Sequence, residues 1–195
     1  MIDPSGIDPW LLANLACPRD RSPLMPTANA LQCPQGHVYP VIDGVPVLLV
    51  DDAPQTFRAA DRSLARANRG EADARAPELH LESIDISDDE KRGVLELAAR
   101  HPEVDPVVAY LIAATNGLMY RHLIGRLHTY PIPDSPLANG DGRSLLDVGC
   151  SWGRWTIAAA RRGYRAIGID PSLGAVMAAR RVARQLNVPA SFVVG

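Results

Sequence analysis

The chain has 195 residues, 47% of them apolar and 22% charged, with a formal net charge of −2. That is enough apolar material for one large or two small domains with a real core, and it excludes a disordered chain, a coiled coil and a collagen. No apolar run reaches the roughly 18 residues of a membrane span, the acidic N-terminus lacks a leader pattern, and the near-neutral charge argues against a protein that coats nucleic acid, so a cytoplasmic protein is expected.

The charge is unevenly placed. Residues 51–90 carry five arginines against eleven acids, and residues 141–195 carry eight arginines against three acids. Solvated helix faces account for this; the sharper reading is attraction between the two segments, or an anionic substrate for the basic one. Three cysteines, an odd number, do not make a disulfide framework and suit a reducing compartment.

Three parts follow along the chain: residues 1–50, 51–140 and 141–195. In the first, Asp8–Pro9 reads as a capped helix start, with Trp10, Leu11, Leu12 and Leu15 on the buried side. Prolines 18, 23 and 26 mark turns. Strand-like runs at 37–42 and 45–50 flank Asp43–Gly44, a tight-turn dipeptide, and Pro46 marks the second run as an edge strand. In the second part, residues 57–80 are rich in Ala, Arg and Asp with weak periodicity and predict a surface helix or a mobile linker. Ser87–Asp88–Asp89–Glu90 has capping-box spacing and starts a helix that stops before Pro102. Asp105–Pro106 starts another, running to about Thr129, with a kink at Asn116–Gly117. Residues 131–142 are a loop.

The third part alternates strand and helix: a strand at 144–148, a helix at 154–162 ending on Gly163, a strand at 165–169, a helix at 173–186 and a strand from 191 to 194. This pattern predicts a parallel sheet with right-handed crossovers. The turn between the first strand and helix reads Asp147–Val148–Gly149–Cys150–Ser151–Trp152–Gly153. Its glycines let backbone turn tightly and approach a ligand, and the helix that follows presents free N–H groups. A dinucleotide turn wants G-x-G-x-x-G behind an apolar residue. Here a carboxylate, Asp147, stands two residues ahead of the first glycine; it would repel a pyrophosphate and attract an ammonium group. Asp170 ends the second strand, where an acid accepts ribose hydroxyls. Two acids at adjacent strand ends beside a glycine turn describe a nucleoside with an amino-acid tail, as in S-adenosylmethionine.

Residues 143–195 resemble the first part of a class I S-adenosylmethionine-dependent methyltransferase, with LLDVGCSWGRW as its first motif and GIDPS as its second. The resemblance implies an α/β fold with a partial Rossmann-like, doubly wound parallel sheet of three strands. It implies that Asp147 and the turn Gly149, Cys150, Ser151, Trp152 and Gly153 hold the methionine end, and that Asp170 holds the ribose. Ser151 stands where the family has a glycine. Trp152 is read as a cover for the cofactor and Trp155 as core. Tyr120 and Arg121 lie on a preceding helix that in this family often closes over the cofactor, where Arg121 would meet a carboxylate. The family's later strands carry the acceptor and catalytic residues, so the sequence is expected to be a fragment that supplies the cofactor turn.

Near the N-terminus, Cys17–Pro18–Arg19–Asp20 and Cys33–Pro34–Gln35–Gly36–His37 have nearly the spacing of a four-ligand zinc site, with Asp20 where a cysteine would stand. Zinc on Cys17, Asp20, Cys33 and His37 is one reading. A degenerate module with the two cysteines as small buried apolar residues is the other. Residues 10–50 resemble the zinc-ribbon-like family that includes the activator subunit of tRNA and protein methyltransferases, through LLANLACPRD and YPVIDGVPVLL. Through CPQGH they are also similar to the zinc module of certain ribosomal RNA guanine methyltransferases. The sequence thus points to a methyltransferase acting on RNA, a protein or a small molecule. It also leaves open a non-catalytic module whose N-terminal part binds a separate methyltransferase. A nicotinamide-dependent enzyme is disfavoured by Asp147. No membrane partner is expected.

Overall fold

The computed structural model describes residues 6–52, 58–70, 87–100, 103–114, 130–134 and 136–195. The N-terminal part opens with helix α1 (Pro9–Ala13), whose first turn is held by Asp8: its Oδ1 accepts the N–H groups of Trp10 and Leu11 at 2.7 and 3.3 Å. Four short strands follow, β1 (Met25–Pro26), β2 (Ala30–Gln32), β3 (Val38–Ile42) and β4 (Val45–Pro46), in an antiparallel meander of that order. Asp43 and Gly44 both take positive φ, 48° and 77°, which is the hairpin turn the dipeptide predicts. Strands β1 and β2 were not legible in the sequence, because two or three residues cannot show a period of two. Leu11, Cys17, Leu24, Leu31, Cys33, Tyr39 and Val41 form this module's core.

The middle part is helical. Helix α2 (Arg58–Asn68) is the surface helix of the two alternatives expected, with Asp61, Arg62 and Asn68 exposed, but its other face is docked; residues 71–80 of that expectation lie outside the described residues. Ala59, Ala60, Ser63 and Ala67 are buried, and the Ser63 hydroxyl accepts the N–H of Leu173 at 2.8 Å. Small side chains at helical spacing give a weak hydrophobic signal yet allow close approach, which is why periodicity missed this face. Helix α3 (Asp88–Arg100) has the predicted reciprocal cap: Ser87 N–H donates to Glu90 Oε2 at 2.8 Å, and Glu90 N–H donates to Ser87 Oγ at 3.2 Å. Helix α4 (Pro106–Ala114) starts on Asp105, whose Oδ1 accepts from Val107 N–H at 3.0 Å. The predicted continuation to Thr129, with Asn116–Gly117, Tyr120 and Arg121, lies outside the described residues.

The C-terminal part is β5 (Ser144–Val148), α5 (Arg154–Arg161), β6 (Arg165–Asp170), α6 (Leu173–Gln185) and β7 (Ala190–Val194). The strands form a parallel sheet in the order β5-β6-β7, in register Asp147↔Gly168↔Phe192. The expected three-stranded sheet with an antiparallel module ahead of it is therefore present. Side chains alternate between the faces. Phe192 and Val194 join Trp152, Ile157, Val176 and Ala179 beneath the two helices. Val193 points the other way, into the core of the N-terminal module, with Ile167 and Ile169 packed against the same cluster.

Among the described residues, the second face of the sheet is covered by the antiparallel module. The backbone ties it there as well: Val47 forms a parallel bridge with Val194, and Leu48 N–H donates to Val194 O at 2.7 Å. The hairpin turn adds an ion pair, Asp43 Oδ2 to Arg180 Nη1 at 2.6 Å. Cover ends before β5, where Leu146 is 62% and Val148 76% exposed. Among the described residues no helix is long and apolar enough to cross a membrane.

Candidate functional site

The glycine turn is strapped to the neighbouring strand. Gly149 and Cys150 both donate their N–H to Ile169 O, at 2.8 and 3.0 Å. Ser151 N–H donates to Asp170 Oδ2 and Ser172 N–H to Asp170 Oδ1, each at 2.9 Å. Asp170 therefore closes the turn onto the end of β6, and each of its oxygens keeps acceptor capacity for a ligand. Asp147 accepts from the hydroxyl of Thr156, in the first turn of α5, at 2.7 Å. The sequence places both acids at adjacent strand ends, and the structure brings them together across the turn.

One side of the turn is packed and the other is open. Gly149, Ser151 and Gly153 all adopt positive φ, at 75°, 51° and 77°. A Cβ on Gly153 would lie 2.7 Å from the Phe192 ring and 2.9 Å from Ala179 Cβ, whereas a Cβ on Gly149 would meet nothing within 4 Å. Serine at 151 holds a left-handed conformation that costs it more than it would a glycine. Burial foremost pushes the Asp170 carboxyl above the usual range; the Ser172 and Ser151 N–H groups pull it back, and the charge of Asp147 raises it again. Burial also pushes the Cys150 thiol well up, with Asp170 and Asp147 adding to the effect, so Cys150 is a packed thiol without nucleophilic character.

Both tryptophans depart from the places read for them in the sequence. Trp152 is 2% exposed, with its ring 6.2 Å from that of Tyr130, so its indole fills the core and only its backbone belongs to the turn. Trp155 is 43% exposed under the guanidinium of Arg154, 5.6 Å away. On a strand-to-helix turn, side-chain direction follows left-handed backbone steps that residue type does not reveal. Tyr130 is itself fixed: its hydroxyl accepts Asp105 N–H at 2.8 Å and donates to Gln185 Oε1 at 2.6 Å, and burial raises its pKa to about 12.

In the N-terminal module the four residues singled out by spacing converge. One ligand atom each of Cys17, Asp20, Cys33 and His37 lies within 4.8 Å of the others. His37 Nδ1 is 3.4 Å from each of the two sulfurs and 3.1 Å from Asp20 Oδ2, and Cys33 Sγ is 3.4 Å from the same oxygen. Burial would raise the Cys17 thiol, but the Tyr39 hydroxyl at 3.1 Å and the backbone N–H groups of Asp20 and Arg19 outweigh it, so its pKa falls. Hydrogen bonds from the Ser22 hydroxyl and N–H hold the Asp20 carboxyl far below the usual range. Thr156, Ser22 and Tyr39 were missed in the sequence. Each lies close in the chain to a residue that was found; Tyr39 even opens the YPVIDGVPVLL motif, but nothing in that motif tells that its hydroxyl faces Cys17.

A cleft of ~570 Å³ opens elsewhere, between α1 and the beginnings of the strands, lined by Trp10, Tyr164, Arg165, Arg180 and Ser191 among others. It is separate from the glycine turn, which lies at the strand ends.

Residues 145–195 match the family described as a methyltransferase domain. A UPF0434 protein of Vesicomyosocius okutanii is 40% identical over 57 residues, covering 29% of this chain and 97% of that relative. A UPF0434 protein of Chelativorans is 47% identical over 55 residues, covering 27% of this chain and 78% of the relative. Among solved structures, an O-methyltransferase family 2 protein from Planctomyces limnophilus, in complex with apigenin, is 24% identical with a TM-score of 0.27. The match covers 56% of this chain, which spans 29% of that structure.

Proposed function

The chain belongs to the UPF0434 family through the segment it shares with those proteins, and from that premise we propose that it joins such a module to the cofactor-binding part of an S-adenosylmethionine-dependent methyltransferase. The observation that carries this reading is the turn closed between Asp147 and Asp170, with Gly149 open on its outer side. The donor set fits the cofactor. Asp147, steadied by Thr156, offers a carboxylate to an ammonium group; Asp170 offers its remaining lone pairs to ribose hydroxyls; the open side of Gly149 lets backbone approach. Bound S-adenosylmethionine supplies a methyl group on a sulfonium sulfur, transferred to an acceptor nucleophile as S-adenosylhomocysteine is released. The residues seen here bind and orient; a proton on the acceptor would be handled by groups other than Cys150.

Zinc on Cys17, Asp20, Cys33 and His37 is part of the same proposal. Zinc bond lengths of about 2.0–2.3 Å place tetrahedral ligand atoms roughly 3.3–3.8 Å apart. The contacts of 3.4 Å in this cluster lie at the short end of that range, and the 3.1 Å contact between His37 Nδ1 and Asp20 Oδ2 lies slightly below it. The ion would tie the loop before β1 to the start of β3.

Calorimetric titration of the purified chain with S-adenosylhomocysteine tests the first part. Binding that disappears in D147A and D170A supports it; no binding to the wild-type chain, with NADH bound instead, refutes it. A second reading, a non-catalytic module that partners a separate methyltransferase, is favoured by the relative that the shared segment almost fills. It predicts that a methyltransferase co-purifies with the chain while S-adenosylhomocysteine does not bind it.

A further inference from the structure

Resting on the zinc reading above, we infer that Asp20 is a full metal ligand in the place of a cysteine, and that Ser22 and Tyr39 are the positioning residues that make this substitution work. The two oxygens of Asp20 do different things. Oδ1 is tied to the chain by the Ser22 N–H at 2.8 Å and by the Ser22 hydroxyl. Oδ2 faces the cluster, 3.1 Å from His37 Nδ1 and 3.4 Å from Cys33 Sγ. A monodentate carboxylate ligand needs this division, one oxygen held outside and one aimed inward.

Hydrogen bonding satisfies part of this cluster, since Cys33 Sγ is placed to donate to Asp20 Oδ2, but it leaves His37 Nδ1 with more close neighbours than it can bond. A ring nitrogen makes one hydrogen bond, as donor or as acceptor. His37 Nδ1 has three close neighbours, Cys17 Sγ, Cys33 Sγ and Asp20 Oδ2. Four atoms that all carry lone pairs are drawn toward one point, and a cation at that point satisfies them together.

Tyr39 completes the set from behind. Its side chain is 3% exposed on β3, and its hydroxyl lies 3.1 Å from Cys17 Sγ. A metal-bound thiolate has no proton, so this hydroxyl donates to the sulfur and holds its direction. Two thiolates, one carboxylate and a neutral imidazole around a divalent ion leave one net negative charge, as three cysteines and a histidine would. Asp20 thus keeps the charge of that set while exchanging a soft ligand for a hard one, which turns the site from cadmium toward zinc.

The test uses the full chain, with metal content by elemental mass spectrometry and zinc affinity by competition with a chromophoric chelator. Wild type should hold one zinc per chain. S22A and Y39F, which remove single hydroxyls, should each weaken zinc by about 10–100-fold; D20A should weaken it further. D20C should restore binding, strengthen the thiolate charge-transfer absorption of the cobalt-substituted protein, and shift preference toward cadmium. Zinc bound equally by wild type, D20A and S22A would overturn the role given to Asp20 while leaving the zinc reading intact. Failure of the wild-type chain to take up zinc after refolding with it would overturn both.

Discussion

Two glycines of one turn, four residues apart, should respond in opposite ways to the same added methyl group. At Gly153, φ is 77° and the new Cβ would lie 2.7 Å from Phe192 and 2.9 Å from Ala179. The left-handed conformation costs an alanine about 1–2 kcal/mol and forced repacking of a closed core about 1–3 kcal/mol, so G153A should lose roughly 2–5 kcal/mol of stability. At Gly149, φ is 75° but a Cβ meets nothing, so G149A should lose only the conformational part, about 1–2 kcal/mol. Ligand binding should fall the other way. The open side of Gly149 is where the cofactor would approach backbone, so G149A should remain folded and lose S-adenosylhomocysteine affinity. Urea unfolding of both variants measures the stabilities, and calorimetry on the folded G149A measures binding. Equal destabilisation by the two substitutions would refute the account of the packed side. Undiminished binding by G149A would refute the account of the open side.

Further outcomes follow from the same contacts. W152A should cost about 3–5 kcal/mol by opening a cavity beside Tyr130, whereas W155A should cost under about 1 kcal/mol; thermal melts that reverse this order would contradict the placement of the two rings. S63A removes the acceptor of the Leu173 N–H and should lower stability by about 1–2 kcal/mol, with faster amide exchange at Leu173 as its local signature. Asp170 sets a pH dependence. Because its folded pKa is raised, its contribution favours the folded state fully below its unfolded pKa and is lost as pH rises through the folded one. D170N cannot ionise, so its stability relative to wild type should climb with pH across that window; a flat or falling difference in urea melts at stepped pH would contradict the burial of the acid.

What the sequence revealed and what it concealed divide along physical lines. Asp8, Ser87 and Asp105 were readable as helix starts because capping is local: the side chain bonds to N–H groups two or three residues away. The parallel sheet was readable because strand and helix alternate in a fixed rhythm, and the acids at 147 and 170 fall at strand ends that this rhythm locates. The cluster of Cys17, Asp20, Cys33 and His37 followed from spacing. The docking of α2 through Ser63 was concealed, since the hydroxyl meets a residue more than a hundred positions away. So was the direction of Trp152, which depends on the backbone of the turn. The cover of one sheet face by the antiparallel module was concealed for the same reason: Val193 and Val194 look alike in sequence, yet the alternation of β7 sends them into different cores.

The bridge between Val47 and Val194 also has a meaning in time. During synthesis the hairpin is complete long before β7 exists, and at about 5–20 residues per second the ribosome takes on the order of ten seconds to deliver the strand that Leu48 will bond. Through that interval the edge after β4 has no partner from the sheet, and an unpaired edge invites pairing with other chains. The module meets the wait with a core drawn almost wholly from its own residues, Leu11 to Val41, to which Val193 is a late addition. Docking of the module therefore waits on β7, and a contact between such distant parts of the chain is of the kind that slows folding.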